Sequence, residues 1–155
     1  MSDIKLPYAA ILSVLVIDHK SQPVVSWRPG NKTLRHCSKA LGSDHLTCGE
    51  QWFEAGTGAP LHHHPEGIEE IIVVLEGSAR FVVDGQEVTV HAGQSIILPA
   101  LSHHGFVALT PLHIGGGGLS SAVQTTIFDE EPELIFDIGD TKGSKIDEHR
   151  RLRVT

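Results

Sequence analysis

The chain has 155 residues, of which 40% are hydrophobic and 20% charged, and carries a formal net charge of −7. That is enough for one domain around a single core and too little for two ordinary ones, and the composition is neither disordered nor fibrous. The negative balance offers nothing to a polyanion, so nucleic acid and anionic membrane are excluded as expected partners.

The N-terminal run "LPYAAILSVLVI" (Leu6–Ile17) falls well short of the roughly 20 apolar residues that span a bilayer. Asp3 spoils a basic leader and "DHKSQP" offers no cleavage site, so a cytoplasmic protein is expected, with this run as a buried strand or dimer arm. Two edge strands, "ILSVLVI" and "PVVSW", are read here, closed by a turn at Pro29-Gly30. The polar stretch "NKTLRHCSKALGSDH" fits a loop or another strand equally well. Cys37 and Cys48 belong to no CxxC and make no disulfide framework, so they are expected reduced and half-buried.

From Leu46 to Ile127 one unit repeats, a short β-prone run followed by turn chemistry: "LTCGEQWFE", "IEEIIVVL", "ARFVV", "QEVTV", "SIILP", "HGFVAL", "PLHIG" and "VQTTIF". Asp84-Gly85 is the strongest hairpin signal, because a type I′ turn needs positive φ at both central residues. Regular strands without helical periods between them predict an antiparallel sandwich or barrel and exclude an α/β fold. Gly115–Gly118 either relieve crowding or leave a mobile rim. Beyond Phe128 follow an acidic "DEEPE", an apolar "LIFDI" and a solvated tail that could turn helical from Ile146. The expected organisation is one domain over 1–155: N-terminal strands or arm to residue 45, core over 46–128, extension over 129–155.

Chemistry concentrates in "PLHHHPEGIEEIIVVLEG" (Pro60–Gly77). Side chains alternate across a strand, so His62 and His64 share one face and His63 takes the other. Two imidazoles at i and i+2 are good first ligands for a transition metal. His103-His104, opening a later strand, is the evident second source, and Glu69-Glu70 supplies carboxylates.

At these residues the sequence resembles the cupins. Their first motif reads G, five residues, HxH, three or four residues, E, six residues, G. Gly56, His62, His64, Glu70 and Gly77 follow it here, and Gly93, Pro99 and His104 follow the second motif after a 15-residue spacer. The departures are one extra residue between His64 and Glu70, and Leu101 and Ala108 where the second motif has glycine and asparagine. Glu69 would fit the histidine spacing and miss the glycine count; Glu70 is preferred because Gly77 ends the strand and sets its register, while a loop absorbs one residue cheaply.

The resemblance implies an all-β, cupin-type double-stranded β-helix (jelly-roll) barrel with N-terminal extra strands. It further implies one divalent transition metal (Fe, Mn, Ni, Zn or Cu) held by His62, His64, Glu70 and His104, with Glu70 able to act as a base. His63, His103 and the other glutamate would then face away. Ile72, Val74, Phe106 and Ala108 share the ligands' parity and predict an apolar pocket, with Gln51, Phe53 and Arg80 on strands that could reach it. Such a pocket suits a small keto, enol or aromatic compound. The function expected is a metal-dependent enzyme, dioxygenase-like or an isomerase or lyase; the alternative is a non-catalytic small-molecule-binding cupin. A homodimer is expected, since open sheet edges are usually paired.

Overall fold

The computed structural model describes residues 14–65, 68–118, 125–129 and 135–137. Among them are twelve strands: β1 Val24–Val25, β2 Asn31–Cys37, β3 Thr47–Phe53, β4 Gly58–His63, β5 Glu70–Glu76, β6 Ser78–Val83, β7 Gln86–His91, β8 Ser95–Leu98, β9 His104–Ala108, β10 Leu112–Gly118, β11 Thr125–Phe128 and β12 Ile135–Asp137. They form two six-stranded sheets, ordered β1-β2-β3-β10-β5-β8 and β12-β11-β4-β9-β6-β7. Every pairing is antiparallel. No described helix is long and apolar enough to cross a membrane.

The all-β expectation holds, but the closed jelly-roll barrel does not. Among the described residues no ladder joins one sheet to the other, so each sheet is open, ending at β1 and β8 or at β12 and β7. The physical reason lies in the ends. β1, with two residues, offers few backbone groups to a further ladder, and β8 and β12 pair with β5 and β11 of their own sheets. The outermost strand β7 exposes all but Val90.

Inward-facing side chains of the two sheets fill the space between them. Phe53 from the first sheet meets Phe106 from the second edge-to-face at 4.9 Å, and Phe81 packs on Phe106 at 5.0 Å. Phe81, Leu98 and Val74 are wholly buried around this contact. The Asp84-Gly85 hairpin forms as expected: φ is 46° and 82°, and Val83 pairs with Gln86 across a two-residue loop.

The N-terminal reading needs correction. Val14–Ile17 form no strand, and Val14 and Val16 are 91% and 89% exposed, not buried; Ile11–Ser13 lie outside the described residues. Of "PVVSW" only Val24–Val25 pair, against β2. The ambiguous polar stretch is the full strand β2, followed by a 3₁₀ turn at Lys39–Leu41. Cys37 and Cys48 face each other across β2 and β3 as free thiols, half-buried, their sulfurs 3.1 Å apart.

Gly115–Gly118 sit inside β10 with ladders on both sides. A Cβ at Gly116 would run into the Ile71 carbonyl and one at Gly117 into that of Thr47, so crowding explains these two, whereas Gly115 has room for a Cβ. β12 falls within "LIFDI"; the helix read from Ile146 lies outside the described residues.

Candidate metal centre

The first donors are placed by an irregularity. β4 and β9 pair Ala59 with Phe106 and then His62 with His104, so β4 carries one extra residue between the two pairs. Such a bulge flips the alternation. Ala59 is buried, Pro60 and Leu61 are exposed, and His62 is buried again. Strict alternation from Ala59 would have turned His63 inward; the bulge turns His62 and His64 inward instead. It lies against Gly105, where a Cβ would come within 2.7 Å of the Ala59 carbonyl and 2.9 Å of the Leu61 nitrogen. Gly105→Ala is therefore expected to push the bulge outward and weaken metal binding by about tenfold or more with the fold retained, read by chelator competition and circular dichroism.

His62, His64 and His104 are buried, and their ligand nitrogens lie within 4.8 Å of one another. The His62 ring lies 4.4 Å from His104 and 5.2 Å from His64, and His64 lies 5.3 Å from His104. Two rings have their outer nitrogens engaged: His62 Nδ1–H donates to the Pro60 carbonyl at 2.7 Å, and His104 Nδ1–H to that of Ser102 at 3.1 Å. Those bonds fix the tautomers and leave Nε2 facing inward, as metal-ligating histidines require. His104 Nε2 is buried and makes no hydrogen bond within the protein. An enclosed imidazole lone pair without a donor is what a cation would satisfy.

Glu70 opens β5 and brings its carboxylate to the same place. Oε2 lies 3.1 Å from His64 Nε2 and 3.4 Å from His104 Nε2. Burial alone would raise its carboxyl, but the His104 and His64 imidazoles beside it prevail and hold it down at about 2. His62 is pushed to about 3, first by burial and then by the neighbouring His104. A neutral imidazole beside an ionised carboxylate is the protonation pattern that a divalent transition metal needs, so the donor set fits one. Glu69 is exposed. Glu70→Gln is expected to weaken metal binding by about 10–100-fold and Glu69→Gln to leave it unchanged, measured by chelator competition.

The second motif holds its shape where its sequence departs. Leu101, standing where the motif has glycine, takes the left-handed conformation at φ 63° with its side chain 64% exposed. That conformation costs an L-residue roughly 1–2 kcal/mol, offset in part by the greater unfolded freedom of glycine. Leu101→Gly is expected to stabilise the protein by about 0.5–1 kcal/mol in urea unfolding.

The donors open into an interior cleft of about 60 Å³. One water needs roughly 10–15 Å³, so this is room for a small ligand. Gln51, Phe53, Ile72 and Phe106 line it as anticipated; Val74 and Ala108 are buried but do not line it, and Arg80 is exposed on β6. Arg35, Thr33 and Trp27 line it too and were missed. The only available signal was the alternation of Asn31, Thr33 and Arg35, which polar side chains disguise.

His63 and His103 point away, as expected, and meet on the outer face of the second sheet with rings 4.4 Å apart. Asp129 joins them unforeseen, its Oδ2 accepting from His103 Nδ1 at 2.7 Å and its Oδ1 lying 3.6 Å from His63 Nδ1. These three are a second group within metal-binding reach of one another.

Comparison with known proteins bears on the fold. A family model described as a cupin domain matches residues 49–114. Among solved structures the chain is similar to KdgF from a Halomonas species, with TM-score 0.58 and 22% identity over 69% of this chain and 94% of that one. It is also similar to an RmlC-like cupin from Shewanella frigidimarina, with TM-score 0.58 and 22% identity over 70% and 93%. A salicylate 1,2-dioxygenase from Pseudoaminobacter salicylatoxidans aligns with TM-score 0.54 and 21% identity over 64% of this chain, which spans only 27% of that enzyme. No curated protein matches the sequence. The protein therefore has the cupin-superfamily fold, and its residues 49–114 match the cupin-domain family model.

Proposed function

We propose that the protein is a mononuclear metal-dependent enzyme acting on a small organic substrate, with His62, His64, His104 and Glu70 as the metal ligands. The observation that carries this reading is the convergence of three inward imidazoles and one ionised carboxylate at the wall of a small cleft. When bound, a divalent transition metal there supplies Lewis acidity and, for iron, redox chemistry with dioxygen.

The remaining work falls to the chain. The Pro60 and Ser102 carbonyls hold the His62 and His104 imidazoles in register, and Phe53, Ile72 and Phe106 give the cleft its apolar wall. Glu70 serves better as a ligand than as a base, because a carboxyl held at about 2 has little affinity for a proton.

Dioxygenase-type oxidation is the chemistry we favour, supported by the donor set and the likeness in fold to a salicylate 1,2-dioxygenase. Fold alone does not select a reaction. Anaerobic loading with Fe(II), followed by β-diketones, catechols and thiols, is expected to give oxygen uptake on at least one class. A flat electrode trace across the panel would turn the reading toward isomerase or lyase chemistry or toward simple ligand binding.

We further propose that the chain folds as one domain and self-associates. Exposed Leu46, Ile71, Leu75 and Ile97 around one broad depression on the outer face of the first sheet support this association. Sedimentation velocity would test it.

A further inference from the structure

The run His62-His63-His64 serves both faces of one sheet. The bulge that turns His62 and His64 inward leaves His63 on the outer face, its ring 4.4 Å from that of His103. Sheet order puts β4 between β11 and β9, so three neighbouring strands deliver the group: His63 ends β4, His103 precedes β9 and Asp129 follows β11. One ligand atom from each lies within 4.8 Å of the others.

Backbone bonds hold all three in place. The Asp129 N–H donates to the Leu61 carbonyl at 2.9 Å, and His63 pairs with Ile127. The His103 N–H donates to Asp84 Oδ1 while the Asp84 N–H donates to the His103 carbonyl, both at 2.9 Å. Donors fixed in this way are what a metal site requires. Asp84 also sets a second carboxylate beside the group, which favours a cation there.

The donors are not all spent on one another. Asp129 Oδ2 accepts from His103 Nδ1 at 2.7 Å, but His63 Nδ1 is closed off from water and makes no hydrogen bond among the described residues. Asp129 Oδ1 lies 3.6 Å from it, beyond hydrogen-bond reach. Two donors on one tetrahedral Zn(II) stand roughly 3.3–3.6 Å apart, given bonds of about 2.0–2.2 Å. The gap is too long for a proton to bridge and suits an ion.

We propose that His63, His103 and Asp129 form a second divalent transition-metal site, on the outer face of the sheet whose inner face carries His62, His64 and His104. On binding, the His103 Nδ1 proton passes through solvent to the ring's other nitrogen. The freed lone pair then joins those of His63 Nδ1 and an Asp129 oxygen on the ion. Imidazole with carboxylate selects Zn(II), Ni(II) or Cu(II) over Mg(II) and Ca(II), which take oxygen ligands. Three protein donors leave a position open to water, and His103 is exposed, so this ion is held more loosely than the enclosed inner one and is lost on purification. Its place gives it a role. The ladder between β4 and β11 has two residue pairs, and an ion tying Asp129 to His63 and His103 staples that short seam.

The test is calorimetric titration of Zn(II) into the full, metal-free chain, with circular dichroism on each variant. Wild type is expected to show two events of about one ion each, the second roughly tenfold or more weaker. His103→Ala and Asp129→Asn should each weaken the second event by about tenfold or more and leave the first unchanged. His91→Ala, at an exposed histidine on β7, should change neither. His104→Ala should show the weaker event alone, and Mg(II) should give no second event. Should either His103→Ala or Asp129→Asn fail to fold, the other decides. A single wild-type event untouched by His103→Ala, a second event that both variants leave intact, or Mg(II) bound there as tightly as Zn(II) would overturn the proposal. A wild type showing the His103-dependent event alone would refute the inner metal assignment and leave this one standing.

Discussion

Replacing His62 or His104 with alanine is expected to lower bound metal from about one per chain to less than a tenth of that, measured by elemental analysis of purified protein. The two residues are Cα partners across β4 and β9, each pinned through Nδ1 to a backbone carbonyl. Neither can be replaced from nearby, because the adjacent His63 and His103 face the other side of the sheet. Those two supply the control: His63→Ala and His103→Ala should leave the inner metal in place. Thermal unfolding gives a second reading. Metal at about 100 times its dissociation constant adds about 2.7 kcal/mol to a native state that alone binds it, or roughly 5–10 °C for a chain of this size. His62→Ala and His104→Ala should show no such shift. Metal content equal to wild type in both would end the assignment.

Phe81→Ala is expected to cost about 3–5 kcal/mol in urea unfolding. Phe81 is fully buried and packs at a tilt on Phe106, which in turn meets Phe53 of the opposite sheet, so the three rings tie the sheets together. Truncation would leave a cavity whose rigid sheet walls cannot collapse to fill it. Val88→Ala is the contrast. Val88 is 46% exposed on β7, and its loss should move stability by less than about 0.5 kcal/mol. A Phe81→Ala cost below about 1 kcal/mol would mean that the packing between the sheets is not what holds them.

The strands from β5 to β10 were legible because period-two alternation and turn residues coincide there, most clearly at Asp84-Gly85. β2 was not. Its buried face is Asn31, Thr33 and Arg35, so a hydrophobic pattern shows nothing in the stretch that read as loop or strand. The closed barrel was inferred from resemblance, whereas closure depends on a ladder between the two sheets, and the described end strands pair only within their own sheet. Choosing between Glu69 and Glu70 defeated parity because both faces of β5 carry apolar residues. The structure separates them: Ile72 and Val74, on the Glu70 face, are 6% and 1% exposed, while Ile71 and Leu75 are 42% and 44%. The bulge ahead of His62 has no composition of its own. Its trace is Gly105 on the facing strand, a signal readable only once the pairing is known.

A crystal structure of the protein soaked with one equivalent of Zn(II), with anomalous scattering recorded at the metal edge, would address the metal assignment most directly. The expected result is a single peak about 2.0–2.2 Å from nitrogens of His62, His64 and His104 and from a carboxylate oxygen of Glu70. A peak at His63, His103 and Asp129 with nothing in the inner cleft would contradict it.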